Sequence, residues 1–559
     1  MVIVLLLATA LTACAQSSKP AGPVDDKVKK LCENLPFTMP EIHTPSFPEF
    51  SVKITEFGAK SDGRTLNTKP FADAIRACAK GGGGTVVVPP GTWLTGPISL
   101  ESSVNLHLDR GAVIQFSRKI EDFPLIPGLD GKSKKYIVTP PISAYGASNI
   151  GITGEGIIDG AGEFWRYVKK EKLTERHWKD LVSSGGVVSP DGKEWWPSKE
   201  ALEGEAYIKK IESSGKELTA ADYAKAKEYL RPDLVRFVRC KGILLDGPTF
   251  QNSPRFHVHP VDCENLIVRN IKIFAEWYTQ NGDGLDLSSC RNAVVYNVTA
   301  SVGDDGICVK PGSSSMIQTG SPSCENIVIA DCEVYRAHGG FVIGSESFGG
   351  ARNIAVRNCV FVGTDVGLRF KSVRGRGGLV ENVFIDGIQM RGIANEAILF
   401  DMFYGGGAPE DEAAKQMSEV KAEAVNDRTP RFRNFSIRNV VCNGARRALL
   451  IHGLPEMSVS NVTIEHAYIM AQKGALCRDA DSISIADATL ALDESPVVSL
   501  TQCRNITLTR LTYSGIAPVF LQADGARTAG VRIVDVDLSK ASKGVELGKD
   551  VSADAVMTK

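Results

Sequence analysis

Cys263-Glu264-Asn265-Leu266-Ile267-Val268 and Cys290-Arg291-Asn292-Ala293-Val294-Val295 are one short phrase written twice, 27 residues apart. Cys324-Glu325-Asn326 and Cys503-Arg504-Asn505 begin the phrase again. The same spacing of 27 separates Asn326 from Asn353 and Asn434 from Asn461, and Asn382 follows Asn353 by 29. Each Asn precedes an alternating Ile, Val or Leu strand, or a close variant, and then a polar turn. Several short strands per period specify an all-β, right-handed parallel β-helix. One coil cannot bury its own apolar residues, so coils stack about 4.8 Å apart and share a core. Asn tolerates left-handed backbone at a fixed turn, and stacked Asn side chains can hydrogen-bond along the ladder.

The cysteines follow this repeat. Thirteen of them in an exported chain would ordinarily suggest disulfides. Recurrence at one coil position, with Cys332 and Cys359 sharing another, instead marks small apolar core residues, so few or no bridges are expected.

Outward from the repeat, the chain divides simply. Val2 to Leu11 is an apolar run too short to span a membrane, and it ends in Leu11-Thr12-Ala13-Cys14. That tetrapeptide resembles a bacterial lipoprotein box. The expectations are a signal peptide over 1–13, lipidation of Cys14, a tether over 14–48 and an extracytoplasmic protein held to the membrane through its lipid alone. Residues 49–559 then form one β-helix domain. Phe71, Ala74, Ile75 and Cys78 are apolar at helical spacing and predict a helix, capped by Asn67 or Thr68, that covers the open end of the stack. Two segments interrupt the repeat. The first, about 165–232, is helix-prone and contains Trp178, Trp195 and Trp196, which suit a lid that stacks rings on sugars. The second, about 405–430, is charged and poor in aromatics. A net charge of −1 gives no electrostatic reason for a nucleic-acid partner.

The chemistry is concentrated between Asn281 and Lys371. Asp283 and Asp304 are 21 residues apart, about one short coil, with Asp305 beside the latter and Asp286 nearby. Clustered carboxylates cannot all ionise cheaply, so a protonated acid beside an ionised base is expected. Inward Ile307 and Val309, and inward Leu285 and Leu287, would by strict alternation bury Asp305 and Asp283. An unpaired buried carboxylate is too costly, so the chain must bend at Gly282, Gly284, Gly303 or Gly306. Arg369 and Lys371 flank an inward Phe370 and should both point outward, where an anion between them relieves their repulsion. His338 is placed to hold a proton or contact a sugar, and Tyr404 to extend the series. A calcium site is a poor match, because the acid spacing fits neither the helix-loop-helix loop nor the nonapeptide repeat.

Asn281-Gly282-Asp283, Asp304-Asp305, Ala337-His338-Gly339 and Arg369-Phe370-Lys371 resemble, in order, the Asn-Thr-Asp, Asp-Asp, Gly-His-Gly and Arg-Ile-Lys motifs of the polygalacturonases, family 28 of the glycoside hydrolases. The departures are Gly282 for Thr, Ala337 for Gly and Phe370 for Ile, and a longer stretch between Asp305 and His338. The resemblance covers roughly residues 50 to 540. It implies inverting hydrolysis of α-1,4 galacturonosyl linkages in a pectic polysaccharide, without cofactor or metal, by a monomer. Asp304 would be the general acid, and Asp283 and Asp305 would activate water. His338 would support the acid, and Asn281, Arg369, Lys371 and Tyr404 would bind substrate. Exo action is expected if the first insertion closes the cleft. Rhamnogalacturonan or xylogalacturonan hydrolysis, a calcium-dependent pectate lyase and a non-catalytic carbohydrate-binding β-helix are the alternatives. One conflict is built in. Inverting enzymes place their carboxyls about 6.5–9.5 Å apart, and adjacent rungs bring them closer.

Overall fold

The computed structural model describes residues 22–128, 135–312, 323–405, 420–514 and 517–559. The signal peptide and Cys14 lie outside the described residues, as do 406–419 of the second insertion. Among the described residues the strands form two long parallel sheets, of 25 and 14 strands, with apolar residues between them. This is the parallel β-helix that the repeat predicts. The smaller sheet carries the site on seven successive strands. They are β1 (Val235–Val238), β2 (Val258–Val261), β3 (Leu285–Ser288), β4 (Asp305–Lys310), β5 (Gly339–Ile343), β6 (Val366–Lys371) and β7 (Glu396–Asp401).

The Asn repeat works as a ladder. Asn265, Asn292, Asn326, Asn353, Asn382, Asn434 and Asn461 all have φ between 53° and 60°. From Asn292 on, each side-chain amide donates to the Asn one rung earlier, over 2.8–3.5 Å. Local backbone preference and inter-coil bonding therefore select the same residue. The cysteines sit where the repeat puts them: Cys263, Cys290 and Cys324 are buried free thiols in the core.

Helix α1 (Asp26–Leu31) and helix α2 (Thr68–Lys80) precede the repeats. In α2, Phe71, Ala74, Ile75 and Cys78 are buried against the first coil as predicted. Asn67 takes the N-cap position as expected but makes no side-chain cap bond, because its amide is spent bonding Lys60, Thr65 and Leu94, while Thr68 Oγ1 accepts from Gly96 N–H.

The tether reading fails for residues 22–48. Val28 and Ile42 are buried, and Leu31, Leu35, Phe37, Met39 and Phe47 pack with them on the outer face of the larger sheet. Asp25 pairs with Arg269, and Lys27 with Asp331 at 2.8 Å. A Pro- and Lys-rich composition concealed enough apolar surface to hold the segment down.

The first insertion is helical, with α3 (Glu175–Ser183), α4 (Lys199–Ser213), α5 (Ala220–Lys225) and a three-stranded antiparallel sheet. Two of the three tryptophans are withdrawn from the expected sugar platform, and Trp178 alone stays partly exposed, lining a cavity within the insertion. Trp195 and Trp196 are buried, with Trp196 stacked on Tyr167 at 4.3 Å and Trp195 Nε1 donating to Gly185 O.

The smaller sheet departs from alternation at one column. A Cβ on Gly284 would lie 2.4 Å from Gly306 O, on Gly306 2.3 Å from Val334, on Gly340 2.4 Å from Phe361 and on Gly367 2.3 Å from Met390. These glycines face the packed interior together with the residues that follow them, Leu285, Ile307, Phe341 and Leu368. The residues before them are released to the other face. None of the four has positive φ, so lack of space, not backbone freedom, requires Gly. Gly306→Ala should therefore overpack the core and cost about 1–3 kcal/mol, with Val334→Ala in the same chain recovering most of the loss. Urea unfolding checks this; unchanged stability of the single variant would refute it.

Candidate active site

Strand register brings the chemical groups onto neighbouring rungs. Leu285 pairs with Ile307, Ile307 with Phe341 and Phe341 with Leu368, while Ser288 pairs with Lys310. The glycine column turns Asp283 and Asp305 out of the core, as the sequence required. Asp286, Lys310, Arg369 and Lys371 reach the same face by ordinary alternation.

Asp283, Asp304 and Asp305 each place a carboxylate oxygen within 4.8 Å of the other two. Lys371 Nζ lies 2.7 Å from Asp305 Oδ2, and Arg369 Nη1 lies 3.4 Å from its Oδ1. Lys310 Nζ stands 3.0 Å from Asp283 Oδ2 and 3.4 Å from Asp286 Oδ1. Four carboxyl groups thus share three cations, fewer than ionisation of all four would need. Asp283 Oδ1 and both oxygens of Asp286 lack a hydrogen-bond partner, so the Lys310–Asp286 contact is an ion pair without an aligned bond.

These surroundings separate the acids. Burial opposes ionisation of Asp305, but Lys371, Arg369 and Lys310 outweigh it and hold its carboxyl well below the usual range. Burial, helped by the neighbouring acids and opposed by Lys310, pushes Asp283 well up. Burial likewise raises Asp286 to about 7, against the pull of Lys310. Asp304 is the open member, with 22% of its side chain exposed where Asp305 has 1%.

Every sequence-predicted site residue except Cys14 falls within this cluster of acids and cations or beside it. His338 Nδ1 lies 3.9 Å from Asp304 Oδ1, and its backbone N–H donates to Asp304 O at 2.9 Å. The Tyr404 ring lies 4.9 Å from Lys371 Nζ and 5.5 Å from Arg369. Asn281 accepts from Arg231 Nη2 at 2.8 Å. The expectation for Arg369 and Lys371 needs correcting. Both face away from the core, yet both are buried, and the anion between them is the protein's own Asp305.

Sequence reasoning missed Lys310, Asp401 and Lys172 around the acids, and Arg231 beside Asn281. Lys310 follows inward Val309 on β4, so the alternation used for Phe370 identifies it. Asp401 on β7 is pushed up to about 6, burial outweighing the Phe403 N–H and nearby Arg369. Lys172 comes from the first insertion and places Nζ 3.2 Å from His338 Nε2. No periodic pattern extends into that segment, so nothing in the sequence pointed to it. The cleft therefore combines a buried ionised carboxylate, a second acid open to solvent and an imidazole. That combination is suited to general acid–base work on a substrate in the cleft.

Comparison with known proteins agrees with this chemistry. The family model described as Glycosyl hydrolases family 28 matches residues 171–443. A probable polygalacturonase of Vitis vinifera is 27% identical over 446 residues, covering 78% of each chain. An exo-poly-alpha-D-galacturonosidase of Dickeya chrysanthemi is 27% identical over 413 residues, covering 72% of this chain and 64% of that one. The crystal structure of a hyperthermoactive exopolygalacturonase from Thermotoga maritima superposes with a TM-score of 0.64 at 28% identity, over 84% of this chain and 94% of that one.

The buried acids leave a stability signature. Asp286 keeps its proton to about pH 7 when folded, whereas an unfolded Asp releases it near about 3.9. Its favourable contribution is full below the unfolded value and is lost as pH rises through 7. The thermal midpoint should fall between about pH 4 and 7 and level off above, and Asp286→Asn should flatten that fall. Equal slopes by scanning calorimetry would contradict the assignment.

Proposed function

This chain is a glycoside hydrolase with support for family 28, and we propose that it cleaves α-1,4 galacturonosyl linkages in pectin or polygalacturonate with inversion. The observation that carries the reading is the split between Asp304, open to the cleft, and Asp305, buried and ionised against Lys371 and Arg369. Asp304 protonates the departing glycosidic oxygen. Asp305, with Asp283 beside it, takes the proton of a water that attacks the anomeric carbon from the other face. Lys310, Lys371 and Arg369 compensate charge throughout. His338 steadies Asp304, and Asn281 and Tyr404 line the sugar's path.

The carboxylate oxygens lie closer than inverting enzymes usually place their carboxyls, about 6.5–9.5 Å. Burial argues for inversion nonetheless. Asp305 has both oxygens engaged by cations and almost no exposure, which keeps it from reaching the anomeric carbon as a nucleophile while holding it in the ionised form a base needs. The first-formed product from an α-linkage should be the β-anomer by NMR, and the α-anomer would exclude this mechanism.

The first insertion favours exo action. Lys172 meets His338, and Arg231 holds Gln280 and Asn281, so side chains of one segment stand at two sides of the cleft. Among the similar proteins some are named exo and others endo, so the reading rests on the insertion. Chromatography should find monomer from the outset of polygalacturonate digestion. A ladder of oligomers would overturn exo action, and turnover of rhamnogalacturonan alone would overturn the substrate.

Asp304→Asn should lower kcat about a hundred- to ten-thousand-fold. Lys371→Met should shift the acid limb of kcat/KM upward by about 1–3 pH units, because a base must be deprotonated to act and Asp305 would lose the charge that keeps it so. A limb that stays in place would remove Asp305 from the role of base.

A further inference from the structure

Toward the earlier coils, next to the acids, a cavity of about 410 Å³ opens between β1, the residues ahead of β2 and the end of the first insertion. Arg231, Arg236, Arg255, Phe256, Asn281 and Glu346 are among its lining residues. We propose that this cavity is a second carboxylate subsite, which takes a uronate ring of the chain being cut. The proposal rests on the pectic reading above and deepens it.

The site is built rather than incidental. Asp233, 2% exposed, is part of the lining and anchors the arginines around it. Its Oδ2 accepts from Arg236 Nη1 at 2.6 Å and from His259 Nδ1 at 2.8 Å, and its Oδ1 lies 3.5 Å from Arg255 Nε. His259 completes the support by accepting from Ser288 Oγ at 2.8 Å. Burial keeps this imidazole neutral at ordinary pH, its pKa lowered to about 4. Arg255 is further fixed over the Phe256 ring at 4.2 Å. Arg231 is held by Gln280 O and Asn281 Oδ1. Three guanidinium groups are thus set in place before any ligand arrives.

They are not fully used. Arg236 Nε is buried with no hydrogen-bond partner. Asp233 and Glu346 supply two negative charges against three positive ones, so one positive charge is in surplus. Glu346 stands at the rim, its side chain 55% exposed and 3.9 Å from Arg376. Planar forks around a cavity with surplus positive charge match a carboxylate in shape and in sign.

Position ties the cavity to the reaction. Phe256 lies 5.0 Å from Lys310 Nζ, which touches Asp283, and Asn281 is two residues from Asp283. A polymer with a carboxylate on each ring and one linkage at the acids presents another carboxylate here. Arg369 and Lys371 are both committed to Asp305, and Arg236 and Arg255 to Asp233, but the arginine cavity adds Arg231, whose hydrogen bonds go to Gln280 O and Asn281 Oδ1 rather than to a carboxylate.

The test removes turnover with Asp304→Asn and measures calorimetric affinity for trigalacturonate and for its fully methyl-esterified form. Arg255→Gln in that background should weaken the anionic trimer about tenfold or more, by loss of a charge-assisted hydrogen bond, and should weaken the esterified trimer much less. Arg236→Gln, made separately, should shift the preference the same way. Equal losses on both trimers, or none in either variant, would overturn the subsite. The two readings can fail separately. Cleavage of polygalacturonate by the parent chain with no charge preference lost in the variants refutes only the subsite. No cleavage, with the arginine-dependent preference intact, refutes only the pectic hydrolase.

Discussion

The whole arrangement depends on where the inward column of the smaller sheet has no room for a side chain. Gly284, Gly306, Gly340 and Gly367 each stand where a Cβ would overlap core atoms. Strand alternation is therefore interrupted once per coil, and the preceding residue is turned out of the interior. Asp283 and Asp305 occupy two of these released positions. With an ordinary side chain in the column, the carboxylates would be directed into the hydrocarbon core, where an unpaired charge is too costly to keep. The same packing constraint thus closes the core and assembles the acids.

Once outside the core the carboxylates are still largely hidden from water, and their protonation is decided by neighbours. Asp305 has two cations of its own, whereas Lys310 is shared between Asp283 and Asp286. Unequal sharing on adjacent rungs gives groups of one chemical type different protonation states a few ångströms apart. A single acid–base couple on an isolated loop would need long-range support to reach that condition. Here the ladder provides it, since each rung fixes the next.

Legibility from sequence followed the range of the determining interaction. The Asn ladder was readable because each Asn satisfies a local backbone demand and a neighbour's hydrogen bond at once. The column of acids was readable through its spacing, and the need for a bend through the parity conflict at Asp283 and Asp305. Lys310 was derivable by alternation but stood outside any recognised motif. Lys172 and Arg231 were not derivable, because an insertion follows its own packing and meets the cleft only in three dimensions. Residues 22–48 misled for a related reason: scattered Val28, Phe37 and Ile42 carry no period, yet a flat sheet face collects them. For Arg369 and Lys371, the sequence indicated an anion between the cations but not that Asp305 would be that anion.

That N-terminal segment has a mechanical consequence. Coils in a solenoid ordinarily touch only their immediate neighbours, so disturbance spreads step by step and ends can fray independently. The segment packs on Leu244, Ile267, Val294, Val328 and Ala355, which lie on consecutive rungs, and Phe37 stacks on Phe384 one rung further, at 6.1 Å. It acts as a batten nailed across six planks. The rungs it spans include those that carry the catalytic acids, so fraying from either end of the stack meets a reinforced block before it reaches them.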